Sequence, residues 1–495
     1  MTSAGVEPQP AGTDVRYVCL SDLHFGAENS ILTNLLVDEA RADVDTISPV
    51  MRDLVRCLSE IVHSNRGGRR PTLILNGDIL ELALAEDNVA AMVFEQFVSL
   101  AFAAEDPVFD DTIIYVPGNH DHHLWEGARE QQYTNYVRRR APDQHLELPW
   151  HTTRMFAELD PEAVESDLLE ALIERTRGRQ GIRVRAVYPN LALGDSSRCV
   201  VIHHGHYLES IYRLMTELKS FAFPSPQWQQ PQEIWQIEAE NFAWIDFFWS
   251  TLGRSGDVGA DVGLIYASFQ SDTAMKRLAN RIAHGIGERI RSPIPLRWLE
   301  RIAVDILLRR VALRVGKLER SQPTVTLSPP AEAELFNYLE GPVRMQLARE
   351  LGRMHQELPR DLTFVFGHTH KPFESRVATT SYGGHASILN TGGWVVDTLV
   401  PAPLQGGAAV LLSEDLEAVS LRLYQQSETD EPSSVEVHVP DGTAGPFLQR
   451  IQALVDPNRS PWRDMSESAA RLVKQRHQEL RRILALRAGT ERGRG

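Results

Sequence analysis

The stretch TIIYVPGNHD, residues 112–121, joins a short β-branched and aromatic run to a loop that carries an amide, an imidazole and a carboxylate. Proline and glycine stop the run, since both favour turns over the middle of a strand. The stretch therefore predicts a buried strand that ends in a polar loop. Two upstream stretches repeat this order: residues 16–20 precede SDLH at 21–24, and residues 72–75 precede NGD at 76–78.

Two segments between these runs, residues 48–63 and 88–104, carry apolar residues at helical spacing. Strands that alternate with helices are typical of an α/β sheet with functional groups at the ends of its strands. Two later strands also end in histidine-rich loops, which are HHGH at 203–206 and GHTH at 367–370. In all, the remaining runs predict a helix at 162–177 and strands at 183–188, 198–202, 362–366, 387–389, 394–396, 408–412 and 419–424.

The composition is that of a globular protein, because 42% of the 495 residues are hydrophobic and 24% are charged. The formal net charge of −15 counts against a dedicated nucleic-acid binder, since phosphate contacts need a basic surface. This charge is unevenly distributed, with +8 on residues 276–320 and +6 on residues 459–495. The acidity of the whole chain therefore does not exclude a phosphate-bearing substrate, although it counts against extensive duplex binding along the body.

The three cysteines, Cys19, Cys57 and Cys199, form no CxxC pair, so a thiolate zinc site is not expected. Their sparse and odd number is typical of buried thiols in a reducing compartment. Residues 1–14 are polar and lack the basic start and apolar stretch of a signal peptide. No run approaches the ~20 apolar residues of a membrane span. We therefore expect a cytoplasmic protein, with peripheral membrane contact as the alternative.

Five strand-loop junctions present side chains that can bind metals, and a sheet brings the ends of its strands together. The candidate ligands are Asp22, His24, Asp78, Asn119, His204, His368 and His370. These seven ligands are too many for one tetrahedral zinc site. They fit two divalent metal ions about 3.5–4 Å apart with one bridging carboxylate. Imidazole, carboxylate and amide ligands suit Mn, Fe, Zn or Ni, of which we favour Mn.

The five motifs, in the order D-x-H, G-D-x-x-E, G-N-H-D, H-G-H and G-H-T-H, resemble those of the calcineurin-like metallophosphoesterase family. The resemblance covers roughly residues 15–206 and 360–425. It implies an α/β (α+β) fold with two stacked mixed β-sheets flanked by helices. A dinuclear site would lie at the strand ends. In this chain, a large helical insertion would separate the two parts.

The resemblance also implies a role for each motif residue. Asp22, His24 and His370 would hold the first metal, and Asp78 would bridge the two. The second metal would be held by Asn119, His204 and His368. His120 would lie beside the metals and face the leaving group. Asp121 would act with it by orienting an imidazole.

Two positions beside these ligands leave alternatives open. His203 precedes His204 and could be the ligand instead, because strand alternation lets only one of them face the site. The family's H-G pattern favours His204. Glu81 stands where the family more often has Asp, so we expect it to support a loop or a ligand rather than to bind metal.

Three further histidines have no certain counterpart in the family. His206 occupies a place where pyrophosphatase-like relatives carry Asp, which weakens any transfer of their substrate. His122 and His123 extend the G-N-H-D loop, and we expect them to be solvated or to face substrate rather than to bind metal. The stretch NTGGW at 390–394 resembles a family turn that packs near the site.

The expected function is hydrolysis of a phosphate mono- or diester by attack of a metal-bridging hydroxide. A nucleotide-lipid pyrophosphohydrolase and a nuclease are alternatives within the same family. A non-catalytic scaffold with this fold is the alternative from a different class. It is disfavoured because such scaffolds usually lack several ligands, whereas every ligand position is filled in this sequence.

The chain is expected to divide into a core in two parts, an insertion and a tail. A disordered lead-in at 1–14 precedes the core at 15–206 and 361–425, with a helical insertion at 207–360, an irregular linker at 426–458 and a basic helical tail at 459–495. Within the insertion, the basic segment 276–320 either packs on the core or contacts an anionic lipid or membrane surface. Nucleic acid is a less favoured partner for it, and the oligomeric state is left open.

Overall fold

The structure is a computed structural model that describes residues 12–36, 41–157, 163–177, 181–216, 219, 233–246, 250, 319, 322, 324–429 and 431–492. In the last helix, side chains are described as far as residue 482. The predicted lead-in up to residue 11 and the basic segment 276–320, apart from Glu319, lie outside the described residues. No described helix has the length and apolar character that a bilayer crossing requires.

The strands of the described chain are β1 Val15–Leu20, β2 Asn34–Leu35, β3 Ala42–Asp43, β4 Thr72–Asn76, β5 Thr112–Val116, β6 Val164–Glu165, β7 Arg183–Ala186, β8 Asn190–Gly194, β9 Arg198–His203, β10 Asp361–Phe366, β11 Phe373–Ala378, β12 His385–Asn390, β13 Gly406–Ser413, β14 Ala418–Gln425 and β15 Glu436–His438. Its α-helices are α1 Pro49–His63, α2 Asp87–Ala101, α3 His122–Arg139, α4 Asp167–Arg177, α5 Ile234–Ile245, α6 Pro329–Tyr338, α7 Arg344–Arg353, α8 Pro446–Leu454 and α9 Trp462–Arg492. Short 3₁₀ turns at His206–Leu208 and Ser210–Arg213 and a π-helical turn at Leu339–Val343 complete these elements.

Two sheets stack face to face, which confirms the expected fold class. The larger has the order β15-β14-β13-β1-β4-β5-β7-β6, and the smaller has the order β11-β12-β10-β9-β8. Both are mixed, because parallel strands at their centres are flanked by antiparallel ones. Apolar side chains from both sheets meet between them in one buried cluster, for example Cys19, Ile74, Val200 and Val365.

The outer faces of the two sheets are covered by different helices. Helices α1 and α2 and the first half of α9 pack with the outer face of the larger sheet. Helices α5, α6 and α7 pack on the outer face of the smaller sheet, where Val201, Phe364 and Ile388 point outward. The described parts of the insertion therefore contribute to the core beside the smaller sheet.

The parallel strands place all five motif loops at one edge. Strands β1, β4 and β5 run parallel side by side in the larger sheet, and β9 and β10 do so in the smaller one. Each of these strands ends in a motif loop. Since parallel strands present their carboxyl ends at the same edge, the loops of both sheets meet there.

The structure departs from the sequence-based elements at several places. Residues 394–396 form no strand, because Trp394 donates its backbone N–H to Asp22 and Val395 makes only an isolated bridge to Ser30. The sequence patterns did not predict the edge strands β8 and β11. The sequence of β8 has only five residues, and that of β11 is interrupted by Glu374 and Arg376. The segment treated as a basic tail forms α9, whose first half lies in the core through Trp462 and Met465.

Candidate metal centre

The motif loops hold their side chains on strained backbone. Among the described residues, seven non-glycine residues have a positive φ, and five of these are predicted metal ligands. They are Asp22, His24, Asp78, His368 and His370, with φ between 45° and 68°. Such a conformation costs about 1–3 kcal/mol per residue and recurs at functional sites, where the surrounding structure enforces it. The placement of these five side chains therefore lowers the stability of the fold.

The first group of ligand atoms belongs to Asp22, His24 and His370. One atom of each lies within 4.8 Å of the others. Nε2 of His370 is 3.4 Å from Oδ1 of Asp22, and the rings of His24 and His370 meet edge to face at 5.3 Å. All three side chains are buried. This group contains the three residues expected at the first metal.

The second group is centred on His204. Its Nε2 lies 3.2 Å from Oδ2 of Asp78, 3.0 Å from Oδ1 of Asn119 and 3.3 Å from Nδ1 of His368. The same Oδ2 of Asp78 is 3.7 Å from Nε2 of His24 in the first group. One carboxylate oxygen therefore faces both groups, as a bridging ligand must.

Carboxylates hold two of the histidines from behind. Nδ1 of His24 lies 2.8 Å from Oε2 of Glu81, and Nδ1 of His370 lies 2.9 Å from Oδ2 of Asp397. A histidine that donates its Nδ1–H to a carboxylate presents the lone pair of Nε2 on its opposite side. In both cases that opposite side faces the first group of ligand atoms.

The two adjacent histidines at the end of β9 point in different directions. His204 places Nδ1 at 3.1 Å from the carbonyl of Asn76, which leaves its Nε2 within the second group. His203 accepts a hydrogen bond at Nδ1 from the backbone N–H of Gly205, and its ring packs on Tyr338 at 5.0 Å. Of the two candidates, His204 is the one that the structure brings to the other predicted ligands.

The donor atoms fit divalent metal ions. Nε2 of His24 and Nδ2 of Asn119 are buried without a hydrogen-bond partner in the described part of the chain. The nitrogen of His24 faces Asp78, so a cation between them would satisfy it. Imidazole nitrogens, carboxylate oxygens and one amide oxygen form a donor set that suits transition metals.

The electrostatics of the two groups favour charged side chains. Burial opposes ionisation of Asp22 and Asp78, but the neighbouring histidines outweigh it and hold the pKa of Asp22 below its usual value and that of Asp78 well below. Burial also opposes protonation of His204 and His370. Asp78 and Asp22 nevertheless raise the pKa of His204 to about 9, and Asp22 and Asp397 raise that of His370 to about 9. Cation binding would displace the protons of these histidines.

Glu81 contacts two imidazoles at once. Its Oε2 accepts from His24, and its Oε1 lies 2.8 Å from Nδ1 of His120. Burial opposes ionisation of Glu81, but the charges and hydrogen bonds of the two histidines outweigh it and hold its pKa well below the usual range. The rings of His24 and His120 meet edge to face at 4.8 Å. His120 thus lies beside the first group, and Glu81 sets its orientation.

Asp121 is placed differently from its expected role of orienting an imidazole. Its carboxylate accepts backbone hydrogen bonds from Gly118 at 2.7 Å and Ile79 at 2.8 Å. Burial and the charge of Asp78 raise its pKa to about 6. The carboxylate instead accepts from two buried backbone N–H groups, one in its own loop and one in the loop after β4, which both need an acceptor. Asp121 joins the loop after β5 to the loop after β4.

The other motif histidines are buried or half-buried. His122 is fully buried, and its Nε2 lies 3.2 Å from Oε1 of Glu238 on α5, so the expectation that it is solvated is wrong. The side chain of His123 is 35% exposed. His206 is fully buried, with Nε2 at 3.4 Å from the hydroxyl of Tyr188.

Three acidic residues near the groups were missed by sequence reasoning. Asp397 holds His370 and in turn accepts a hydrogen bond from Asn29 at 2.8 Å. Glu209 places Oε1 at 3.5 Å from Nε2 of His368, and Glu238 contacts His122. None belongs to a motif of fixed spacing. Glu209 and Asp397 each lie three residues beyond a stretch singled out above, HHGH and NTGGW, whereas Glu238 has no such signal.

One comparison with known proteins, the scan against family models, agrees with this geometry. Residues 15–259 match the family model of calcineurin-like phosphoesterases, which includes four of the five motif loops. A search of curated proteins gave no match. Among solved structures, a mutant of a cold-active protein tyrosine phosphatase is 12% identical over 83% of this chain and 78% of that chain, and its TM-score of 0.24 is too low to bear on the fold.

The class that these features define is that of metal-dependent phosphoesterases, which are hydrolases that act on phosphoester bonds. Residues 15–259 of the chain belong to the calcineurin-like phosphoesterase family. The family is typically dependent on two metals, and the buried histidine and aspartate groups of this chain match that requirement.

Proposed function

We propose that the protein hydrolyses a phosphate mono- or diester at a dinuclear metal centre. The first metal is held by Asp22, His24 and His370, the second by Asn119, His204 and His368, and both by Asp78. The observation that carries the proposal is the position of Oδ2 of Asp78, which lies 3.7 Å from Nε2 of His24 and 3.2 Å from Nε2 of His204.

The protein's own residues supply binding, orientation and a proton. When bound, two divalent cations polarise the phosphoryl oxygens and make a hydroxide nucleophile accessible at neutral pH. His120 delivers a proton to the leaving oxygen, a role worth typically about 10²–10⁴-fold in rate. Because Glu81 accepts from Nδ1 of His120, this proton leaves from Nε2. Glu81 also keeps the ring of His120 in place next to His24.

The roles of Asp78 and His120 are separable by experiment. We expect Asp78→Ala to lose bound metal and activity together, because both groups share this carboxylate. His120→Ala should keep its metal and lose rate about 10²–10⁴-fold, least for aryl phosphates with good leaving groups. Metal analysis and rates on a series of aryl phosphates check both variants, with His145→Ala in an exposed loop as the control. Full activity in metal-free Asp78→Ala would refute the proposal.

Substrate class is decided by a panel assayed with Mn²⁺, the cation that we propose as the native one. An aryl phosphate tests for a monoesterase and a bis-aryl phosphate for a diesterase. A UDP-lipid, a cyclic nucleotide and single-stranded DNA test the pyrophosphohydrolase, cyclic diesterase and nuclease alternatives. A protein that binds metal and hydrolyses none of these under any metal would favour the non-catalytic scaffold.

The division of the chain and its location are also proposals. We propose that residues 15–206 and 361–425 form one catalytic core, interrupted by the insertion 207–360, and that the protein acts in the cytoplasm. The basic segment 276–320 is the proposed contact with anionic lipid. Sedimentation with anionic and neutral vesicles at two salt concentrations tests this contact, and equal binding to both kinds of vesicle would contradict it.

A further inference from the structure

A second cluster of metal-capable side chains lies at the junction of α3 and α5. We call it the α3–α5 cluster, and it consists of His122, His123, Glu126 and Asp246. The first three residues lie in the first turns of α3, and Asp246 directly follows α5. One ligand atom each of His123, Glu126 and Asp246 lies within 4.8 Å of the other two. Neither the motifs nor the metal centre described above accounts for this cluster.

The separations within the cluster are longer than hydrogen bonds. Nδ1 of His123 is 3.5 Å from Oε2 of Glu126 and 3.5 Å from Oδ1 of Asp246. Nδ1 of His122 is 3.8 Å from the same Oδ1 of Asp246. Two ligands of a tetrahedral zinc ion with bonds of about 2.0–2.1 Å are about 3.3–3.4 Å apart, by simple geometry. The spacing is therefore closer to that of atoms around a cation than to that of direct partners.

His122 presents an unpartnered nitrogen to the cluster. Its side chain is fully buried, and Nδ1 has no hydrogen-bond partner in the described part of the chain. Its other nitrogen, Nε2, lies 3.2 Å from Oε1 of Glu238. A carboxylate behind one nitrogen leaves the other for a metal, which is the arrangement of His24 with Glu81 and of His370 with Asp397. Only the roles of the two nitrogens are exchanged.

The two carboxylates of the cluster bring two negative charges close together. Burial and the adjacent negative charge of Asp246 raise the pKa of Glu126. The side chains of Glu126 and Asp246 are 34% and 14% exposed, so water screens them only in part. A divalent cation would add two positive charges beside both carboxylates, next to those of protonated His122 and of Arg129.

We propose that His122, His123, Glu126 and Asp246 bind one Zn²⁺ ion at a site separate from the dinuclear metal centre. Three of these ligands already lie within 4.8 Å of one another, and Nδ1 of His122 lies 3.8 Å from Oδ1 of Asp246. Four protein ligands are typical of a structural rather than a catalytic zinc site. The ion joins α3, which begins two residues after His120, to α5 of the insertion. It thereby fixes the insertion relative to the G-N-H-D loop. The proposal does not depend on the proposed function.

The test counts zinc in a protein whose metal centre is disabled. Full-length Asp22→Ala/Asp78→Ala protein is incubated with excess Zn²⁺, freed of unbound metal by gel filtration and analysed for zinc. We expect one zinc per chain to remain. Adding Glu126→Gln should remove it, and adding Glu130→Gln should not, because Glu130 is an exposed residue one turn further along α3.

Further variants and a second measurement keep the proposal testable if one variant does not fold. His123→Ala, at a half-buried position, replaces Glu126→Gln if the latter loses its circular dichroism spectrum. If the disabled background does not fold, the same variants are compared in the wild-type chain, where they should lower the zinc content by one. Co²⁺ in place of Zn²⁺ should show the intense visible absorption of tetrahedral cobalt, and the variants should abolish it. Unchanged zinc content in folded Glu126→Gln and His123→Ala proteins would overturn the proposal and leave an ion pair of protonated His122.

Discussion

Individual carboxylates organise the histidines of the metal centre from outside. Glu81 accepts from His24 with one oxygen and from His120 with the other. Its Oε1 also accepts the backbone N–H groups of Ala83 and Leu84, both at 3.0 Å. These bonds fix the carboxylate, which in turn fixes a proposed ligand and the proposed acid. A single residue outside the proposed ligand set thus positions both side chains.

Replacement of Glu81 should therefore damage two functions at once. We expect Glu81→Ala to weaken metal affinity by about 10–100-fold, as loss of such an outer carboxylate typically does. The rate at saturating metal should also fall, because the ring of His120 loses its orientation. Calorimetric metal titration and steady-state rates measure the two effects. Glu105→Ala, at an exposed position, is the matched control, and metal affinity unchanged in Glu81→Ala would contradict the argument.

Sequence reasoning identified the side chains that converge but not all the contacts between them. The seven candidate ligands share the ends of strands, and strand ends are predictable from apolar runs that stop at polar loops. The opposite orientations of His203 and His204 follow from strand alternation. The sequence predicts that the two side chains point to opposite sides, but not which of them faces the site. The partners Asp397 and Glu238 come from loops and from the insertion, and their approach depends on tertiary packing that has no local signal.

At the scale of elements, three helices contact the metal loops or the residues next to them. Helix α3 begins directly after Asp121, and Glu238 of α5 contacts His122 in the first turn of α3. On the other side, α9 contacts the stretch that follows His24, because Arg476 donates to the backbone carbonyls of Ser30 and Thr33. Arg476 is 1% exposed, although it belongs to a segment that the sequence presents as a basic tail. The positive charge of residues 459–495 therefore did not reveal that Arg476 is buried in the core.

Removal of the Arg476 guanidinium should destabilise the protein. We expect Arg476→Met to lower the free energy of unfolding by about 2–4 kcal/mol, because the buried carbonyl of Thr33 loses the Arg476 donor and that of Ser30 keeps only the backbone N–H of Thr33. Denaturant unfolding measures the loss, and Arg471→Met, at an exposed position of the same helix, should change stability by less than about 0.5 kcal/mol. Equal stability of the two variants would show that α9 does not anchor the loop through Arg476.

At the scale of the whole molecule, the metal centre joins the two sheets. Asp22, Asp78 and Asn119 follow strands of the larger sheet, whereas His204 and His368 follow strands of the smaller one. The apolar cluster between the sheets holds them together along their length, and the proposed metals would hold them together at one edge. Metal binding at this edge would therefore stabilise the association of the two sheets as well as serve the reaction.

Removal of metal should consequently weaken the fold as well as abolish activity. A ligand that binds only the folded state at 100 times its Kd stabilises it by about 2.7 kcal/mol. We expect chelation to abolish hydrolysis and to lower the midpoint of thermal unfolding, and added Mn²⁺ to restore both. The unfolding midpoint of Asp22→Ala/Asp78→Ala protein should not change with Mn²⁺, because both proposed metal sites lack at least one ligand in this variant. Scanning calorimetry with and without chelator makes the comparison, and an unfolding midpoint independent of metal in the wild-type chain would show that the metal centre does not contribute to the association of the sheets.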